Sequence, residues 1–335
     1  MRAAVLLLAF VVGCKSDDGG DKGTDGAGHS GTTTGPTEHC LDPGPDAAVT
    51  IAVEAEEWTF QGFPVISYVP PNPRGLIIYF HGGASAIPEI LGHEQVAMLF
   101  NQMTTEGFAV LATQRTLPVG NDSWDFGDPE PRTNDDLSRI LDLYEELLNR
   151  SELTADMPIV TTGFSDGSGM ASSMGAWAAD LGLPITAVSI HNGAFGKLPE
   201  VPTFLFVGVN DNPGIPDGAR SMATQLEQAG VEVEHIEYEE RLVQPDSFLR
   251  NPIWDQEKSQ EAYDELVSVQ MIDASGARLI PDDRIEDALA AWQRSSQLSG
   301  SSIAEQRLRV LWAMHRYSAL DAVRECEFIL DHTAP

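Results

Sequence analysis

Apolar residues recur along this chain in two rhythms that alternate with each other. Short contiguous runs of aliphatic and β-branched residues stand at 75–80, 107–113, 159–162, 183–190 and 201–209. Runs of this kind predict strands buried on both faces. Between them, apolar residues fall at three- and four-residue spacing. Leu91, Val96, Leu99, Phe100 and Met103 do so within 88–106, and Leu137, Ile140, Leu141, Tyr144, Leu147 and Leu148 follow Thr133-Asn134-Asp135-Asp136. That polar tetrad is a good helix start. At the front, Val49, Ile51, Val53, Ala55 and Trp58 alternate, and a second apolar run at 63–69 ends at Pro70-Pro71-Asn72-Pro73. These predict two antiparallel strands joined by a turn. A last alternating strand is expected over 231–240. Strands alternating with helices predict an α/β chain with a doubly wound, mostly parallel sheet. The core spans 48–240. Helical patterns at 256–271 and 284–297, with Pro245 and Pro252, then predict a helical insertion over 241–310. Residues 311–335 return to the core and carry a closing helix.

The amino terminus has a different character. Met1-Arg2, an apolar run from 3 to 12 and Gly13-Cys14 read as a secretory signal rather than a membrane span. Val-Val-Gly-Cys resembles the end of a bacterial lipoprotein signal. The resemblance implies a signal peptide over 1–13 and a mature chain beginning at a lipidated Cys14. Residues 14–47 hold almost no large apolar side chain, so they are expected to remain a flexible tether. Lys15 is not the aspartate that retains lipoproteins at the inner membrane in enteric bacteria. The expected location is the bacterial cell envelope, lipid-anchored, at the outer membrane or cell surface.

Charge narrows the partners. The 51 acidic residues outnumber the 20 basic ones, for a net charge of −31. Such a balance argues against nucleic acid or an anionic membrane face as a partner, leaves the lipid as the membrane contact, and suits a strongly solvated surface or a saline setting. No obligate protein partner is evident. Of the three cysteines, Cys40 and Cys326 remain once Cys14 is assigned to lipid. Outside the cytoplasm they are either a disulfide stapling the ends of the domain or two unpaired thiols.

The candidate chemistry centres on Gly163-Phe164-Ser165-Asp166-Gly167, directly behind the strand at 159–162 and ahead of a small-residue helix at 170–179. Strand, tight turn with a serine, then helix is the order a nucleophile elbow requires. Here the chain resembles the α/β-hydrolase superfamily. His81-Gly82-Gly83-Ala84, after the run at 75–80, strengthens the resemblance, which implies an oxyanion hole there. Its donors are the N–H of Asp166 and that of Gly83 or Ala84. His81 is expected to serve the loop structurally. The family order Ser, acid, His points to Asp211 at the end of the run at 201–209, with Asp217 as the fallback.

The base is open among the later histidines. His315 precedes the closing helix, as in the family, but the helix-like pattern at 303–314 could carry it as a packed residue. His235 lies inside the last strand, and His332 lies near the chain end. His93-Glu94 lacks the second histidine of a zinc helix, so no metal and no cofactor is expected. The loop at 114–131, with Trp124, Asp125 and Phe126, either lines a substrate mouth or packs its own aromatics.

The resemblance implies a serine hydrolase with Ser165, Asp211 and His315 as its triad, cleaving a small or polymeric carboxylic ester. A peptidase with the same triad, or a silent hydrolase fold that binds at the surface, are the alternatives. The insertion at 241–310 is either a partial cap over the site or an appendage beside it.

Overall fold

Side chains of the central strand divide the core in two. In β3 (Leu76–Phe80), Leu76, Ile78 and Phe80 join one hydrophobic cluster while Ile77 and Tyr79 join another. This is the period-two alternation of a strand buried on both faces. The computed structural model describes residues 40, 55–83, 93–116, 123–251 and 253–333. Cys14, the signal at 1–13, the tether apart from Cys40, Ala84, residues 88–92 of the helix expected at 88–106, and the start of the strand expected at 48–58 lie outside them.

Eight strands form one sheet in the order β1-β2-β4-β3-β5-β6-β7-β8. The antiparallel opening comprises β1 (Glu56–Phe60) and β2 (Phe63–Tyr68), with β2 also antiparallel to β4 (Ala109–Thr113). From β4 onward the pairings are parallel, through β3, β5 (Ile159–Phe164), β6 (Ile185–His191), β7 (Thr203–Gly208) and β8 (Val233–Tyr238). β1 runs to Phe60, past the expected end at Trp58, because Phe60 still pairs with Phe63 across the turn. This is the α/β-hydrolase fold.

Helices cover both faces. α1 (Glu94–Thr105) shares a cluster with the carboxyl-terminal helix, while α2 (Asp135–Asn149), α3 (Asp166–Leu181) and α4 (Ile215–Ala229) line the opposite one. Asn134 caps α2, its side chain accepting from the Leu137 N–H. The insertion contributes α5 (Gln256–Ser268), α6 (Ile285–Ser295) and α7 (Ser301–Leu311) around a third cluster that runs from Val243 to Met314. That cluster reaches past residue 310 into the segment returning to the core. α8 (Ala322–His332) closes the chain. A disulfide joins Cys326 of α8 to Cys40.

Candidate active site

Because β3 connects leftward to β4 while β5 lies on its other side, the order reverses between β3 and β5. Ligand sites of open parallel sheets gather at the carboxyl ends of strands flanking such a switch. Those two strands deliver His81-Gly82-Gly83 and Ser165.

Ser165 sits at φ 54°, ψ −122°, a backbone state sparsely populated for a residue with a side chain. Its neighbours hold it there. A Cβ on Gly163 would come within 2.2 Å of the Gly167 carbonyl oxygen, and one on Gly167 within 2.2 Å of that of Phe80. No other residue fits either position. The Ser165 N–H donates to the His191 carbonyl at 3.0 Å, and the Ser165 carbonyl accepts from the Ser168 N–H at 2.9 Å, opening α3.

The side chain of Ser165 faces His315. Its Oγ lies 2.7 Å from His315 Nε2, and His315 Nδ1 lies 2.6 Å from Asp211 Oδ1. The Asp211 carboxylate is fully buried and the imidazole is about one-fifth exposed. A carboxylate at Nδ1 keeps the proton there and leaves Nε2 as the acceptor for the hydroxyl. Asp211 Oδ1 also accepts from the Asn212 N–H at 2.5 Å, which orients the carboxylate. Phe164 lies against the imidazole, ring centroids 5.1 Å apart.

The helical pattern before His315 stops short of it. α7 ends at Leu311, and Ala313 turns left-handed at φ 53°. The loop then lies against the ends of three strands. Asn210 donates from its N–H to the Ala313 carbonyl at 3.0 Å and from its amide to that of Trp312 at 2.9 Å. The Asn192 amide donates to the carbonyls of Met314 and Arg316 at 3.0 and 2.8 Å, and the Tyr238 hydroxyl reaches Met314 at 3.2 Å. Contact is so close that a Cβ on Gly208 would lie 2.1 Å from the Ala313 carbonyl oxygen. From the other side, Trp312 and Met314 belong to the insertion's hydrophobic cluster. The loop carrying His315 is thus gripped between sheet and insertion.

The other acid and base candidates lie apart. Asp217 pairs with Arg220 on the surface at 2.6 Å. His235 faces Glu237 at 3.7 Å from within β8, and burial pushes its pKa down. His332 ends α8 against Phe328 and Glu232.

On the oxyanion side, the Asp166 carboxylate accepts from the Ser123 hydroxyl at 2.6 Å and the Trp124 N–H at 2.7 Å. The Trp124 indole N–H in turn donates to the His81 carbonyl at 2.8 Å. One buried tryptophan therefore braces the loop after β3 against the elbow. Of the two roles open to this loop, Trp124 packs inward. Burial drives the His81 pKa down to about 4, and its Nδ1 lies 2.7 Å from the Gly82 carbonyl oxygen, so the neutral ring serves the loop.

Sequence reasoning misses Asn192 and Asn210, and it names Trp124 without its link to the His81 carbonyl and the Asp166 carboxylate. Their only local sign is position at a strand end or in a loop. Cys40, Glu106 and Cys326 bring donor atoms within 4.8 Å of one another, but the two sulfurs are bonded together and do not make a metal-ligand set.

No protein-family model matches the chain, and no curated protein does. Among solved structures it is similar to a thermostable esterase, 20% identical over 63% of this chain and 62% of that one, at a TM-score of 0.44. The match therefore spans less than two thirds of that structure's length. It is also similar to an esterase from the Planctomycetes species Thermogutta terrifontis, 15% identical over 67% of this chain and 94% of that one, TM-score 0.43. An acylaminoacyl peptidase of Pyrococcus horikoshii is 14% identical over 56% of this chain and 37% of that one, TM-score 0.42. Likeness this remote says nothing about what a site acts on.

Proposed function

We propose that the chain is a serine hydrolase that cleaves a carboxylic ester through an acyl-enzyme. The observation that carries the reading is the unbroken line from Ser165 Oγ through His315 to the buried Asp211 carboxylate, at 2.7 and 2.6 Å. Three residues from distant parts of the chain meet there with the donor and acceptor roles that hydroxyl activation requires.

In this reading Ser165 Oγ bonds to the ester carbonyl carbon while its proton passes to His315 Nε2. Asp211 holds the imidazole and stabilises the imidazolium that forms. The developing oxyanion is received by the Asp166 N–H and one from Gly83 or Ala84, a contribution that typically amounts to about 10²–10³ in turnover per donor. The C–O bond to the alcohol then breaks, and His315 returns the proton to the departing oxygen. Water repeats the sequence on the acyl-Ser165 ester, its proton going to Nε2, and the carboxylic acid leaves as Oγ regains the proton. No cofactor enters these steps.

From the separate evidence of the apolar run at 3–12 ending in Val11-Val12-Gly13-Cys14, we further propose a lipoprotein of the bacterial envelope, anchored through Cys14 with residues 14–47 as tether and the outer membrane or cell surface as its site. Acyl chains contribute about 0.8 kcal/mol per buried CH₂, so more than one chain anchors firmly.

The test is covalent labelling by a fluorophosphonate together with turnover of p-nitrophenyl acetate. Wild type is expected to label and turn over, and Ser165→Ala to do neither while remaining folded, a loss of about 10⁶ in kcat. A folded wild-type protein that neither labels nor hydrolyses would be a silent hydrolase fold, and the reading would fall.

A further inference from the structure

Arg316 follows the candidate base directly, and its backbone is fully engaged. Its N–H donates to the Met314 carbonyl at 2.7 Å, and its own carbonyl accepts from Asn192 at 2.8 Å. Its guanidinium is not engaged. The head is half-buried and makes no hydrogen bond or ion pair among the described residues, and its Nε is fully buried without an acceptor.

Other half-buried arginines of the insertion differ. Arg278 donates to Glu240, Asp282 and the Ile280 carbonyl. Arg309 donates to Glu305 and, through both terminal nitrogens, to Glu286 at 2.5 and 2.7 Å. In a chain with 51 acidic residues, carboxylates are plentiful. Yet the two described carboxylates whose charge acts on Arg316, Glu305 and Glu286, are both taken by Arg309. Leaving a buried donor of a charged group unsatisfied costs more than a hydrogen bond returns. Such a group calls for a partner that the described residues do not provide.

Its surroundings indicate where that partner comes from. The Arg316 charge acts on His93, which starts α1 after the loop that follows Gly83. It also acts on Glu286 of α6, whose carboxylate feels His315 as well. The guanidinium therefore lies within electrostatic reach of the start of α1 and of the insertion, on the residue next to His315, whose Nε2 is 2.7 Å from Ser165 Oγ. Burial, then Arg309, hold its pKa below the ordinary arginine value, yet it remains charged.

Resting on the hydrolase reading of Ser165, we propose that Arg316 is a substrate-binding residue, whose unpaired guanidinium receives a carboxylate on the ester, so that the preferred substrates are anionic esters. The planar fork of a guanidinium suits a carboxylate, which it holds by two parallel hydrogen bonds.

The experiment measures kcat/KM for two matched pairs: phenyl hydrogen adipate against phenyl hexanoate, and 4-acetoxybenzoate against methyl 4-acetoxybenzoate. The first pair places the charge on the acyl side and the second on the leaving group. Moderate salt is present throughout, because it screens the repulsive field of the acidic surface but not a buried contact. Wild type is expected to favour the anionic member of at least one pair by about ten-fold or more. Arg316→Gln is expected to abolish that ratio and Arg316→Lys, which keeps charge but not the fork, to retain part of it. Arg150→Gln removes the same charge over Trp58, away from the site, and is expected to leave the ratio as it was. Neutral esters turned over with no anionic preference in wild type, or a preference that survives Arg316→Gln, overturns the proposal while the hydrolase reading stands. Absence of any hydrolysis and of fluorophosphonate labelling overturns both.

Discussion

Asn192 makes no contact with His315 in its hydrogen bonding, yet it holds the chain on both sides of it. Its amide donates to the carbonyls of residues 314 and 316, and its Oδ1 accepts from the Gly208 N–H at 3.2 Å. Gly208 ends β7, the strand that leads to Asp211. A single buried side chain, with left-handed backbone at φ 46°, thereby ties the loop of His315 to the strand end that leads to Asp211. Removing the amide takes the Asn192 partner from the Arg316 carbonyl and the Gly208 N–H, at about 1–3 kcal/mol for each left buried and unpaired, while Met314 keeps the Tyr238 hydroxyl. Asn192→Ala is expected to lower kcat by about 10- to 100-fold, since small misplacements of catalytic groups cost rates of that order. KM should change far less. Steady-state kinetics with a urea midpoint on the same sample separates this from simple unfolding. A kcat at the wild-type level would show that the loop is held by Asn210 and Tyr238 alone.

Replacing Asp211 by asparagine keeps the shape and removes the charge. The amide can then donate to Nδ1, turning Nε2 into the protonated nitrogen and denying Ser165 its acceptor. The expected loss in kcat is about 10⁴-fold, with the melting temperature little changed. Hydrolysis of p-nitrophenyl acetate by Asp211→Asn at near wild-type rate would place the acid elsewhere, and Asp217→Asn then becomes the informative comparison.

Acid sensitivity has an identifiable source at the start of α1. Burial, then the charge of Arg316, lower the His93 pKa to about 4 from an ordinary 6.5. Between those values the unfolded chain binds a proton that the folded chain refuses, so stability falls as pH drops through this window. From pH 7 to pH 5 the shift amounts to about 2 kcal/mol for this one residue. Glu94, whose pKa burial raises, acts in the opposite sense by taking up its proton earlier in the folded state. The clean measurement is therefore a difference. His93→Gln should lose about 2 kcal/mol less than wild type over that interval in urea titrations. Equal losses in the two proteins would remove His93 from the account.

The disulfide links positions 286 residues apart and lies next to a buried polar cluster. Glu325, adjacent to Cys326, accepts from Ser189 at 2.6 Å and lies 2.9 Å from His191 Nε2. In the chain-entropy model a loop of this length contributes about 6 kcal/mol at most, by restricting the unfolded state. Cys326→Ser is expected to lower the melting temperature clearly while ester turnover at 25 °C stays within about two-fold, because neither sulfur lies in the site. Unchanged melting would mean that the reduced chain keeps the same contacts at no cost.

What could be read from residues alone was whatever depends on near neighbours. The elbow was legible because its demands are local: a strand, two positions with no room for a Cβ, and a serine forced to positive φ between them. Gly82-Gly83 after β3 and Asp211 after β7 were legible for the same reason, each standing just beyond a strand whose apolar run announces it. Helix boundaries were less so. The pattern before His315 runs on to Met314, but the helix stops at Leu311 because the sheet ends supply other partners for the carbonyls that follow. Which of His235, His315 and His332 lies against Ser165 could be read only from the tertiary structure, since a histidine's neighbours are set by what the fold brings to it. His315 meets Ser165 across 150 positions and Asp211 across 104. The partners of Asn192 and Trp124 carry no sequence signal for that same reason. Their hydrogen bonds join segments that the chain separates widely, and only folding of the sheet brings those segments within reach.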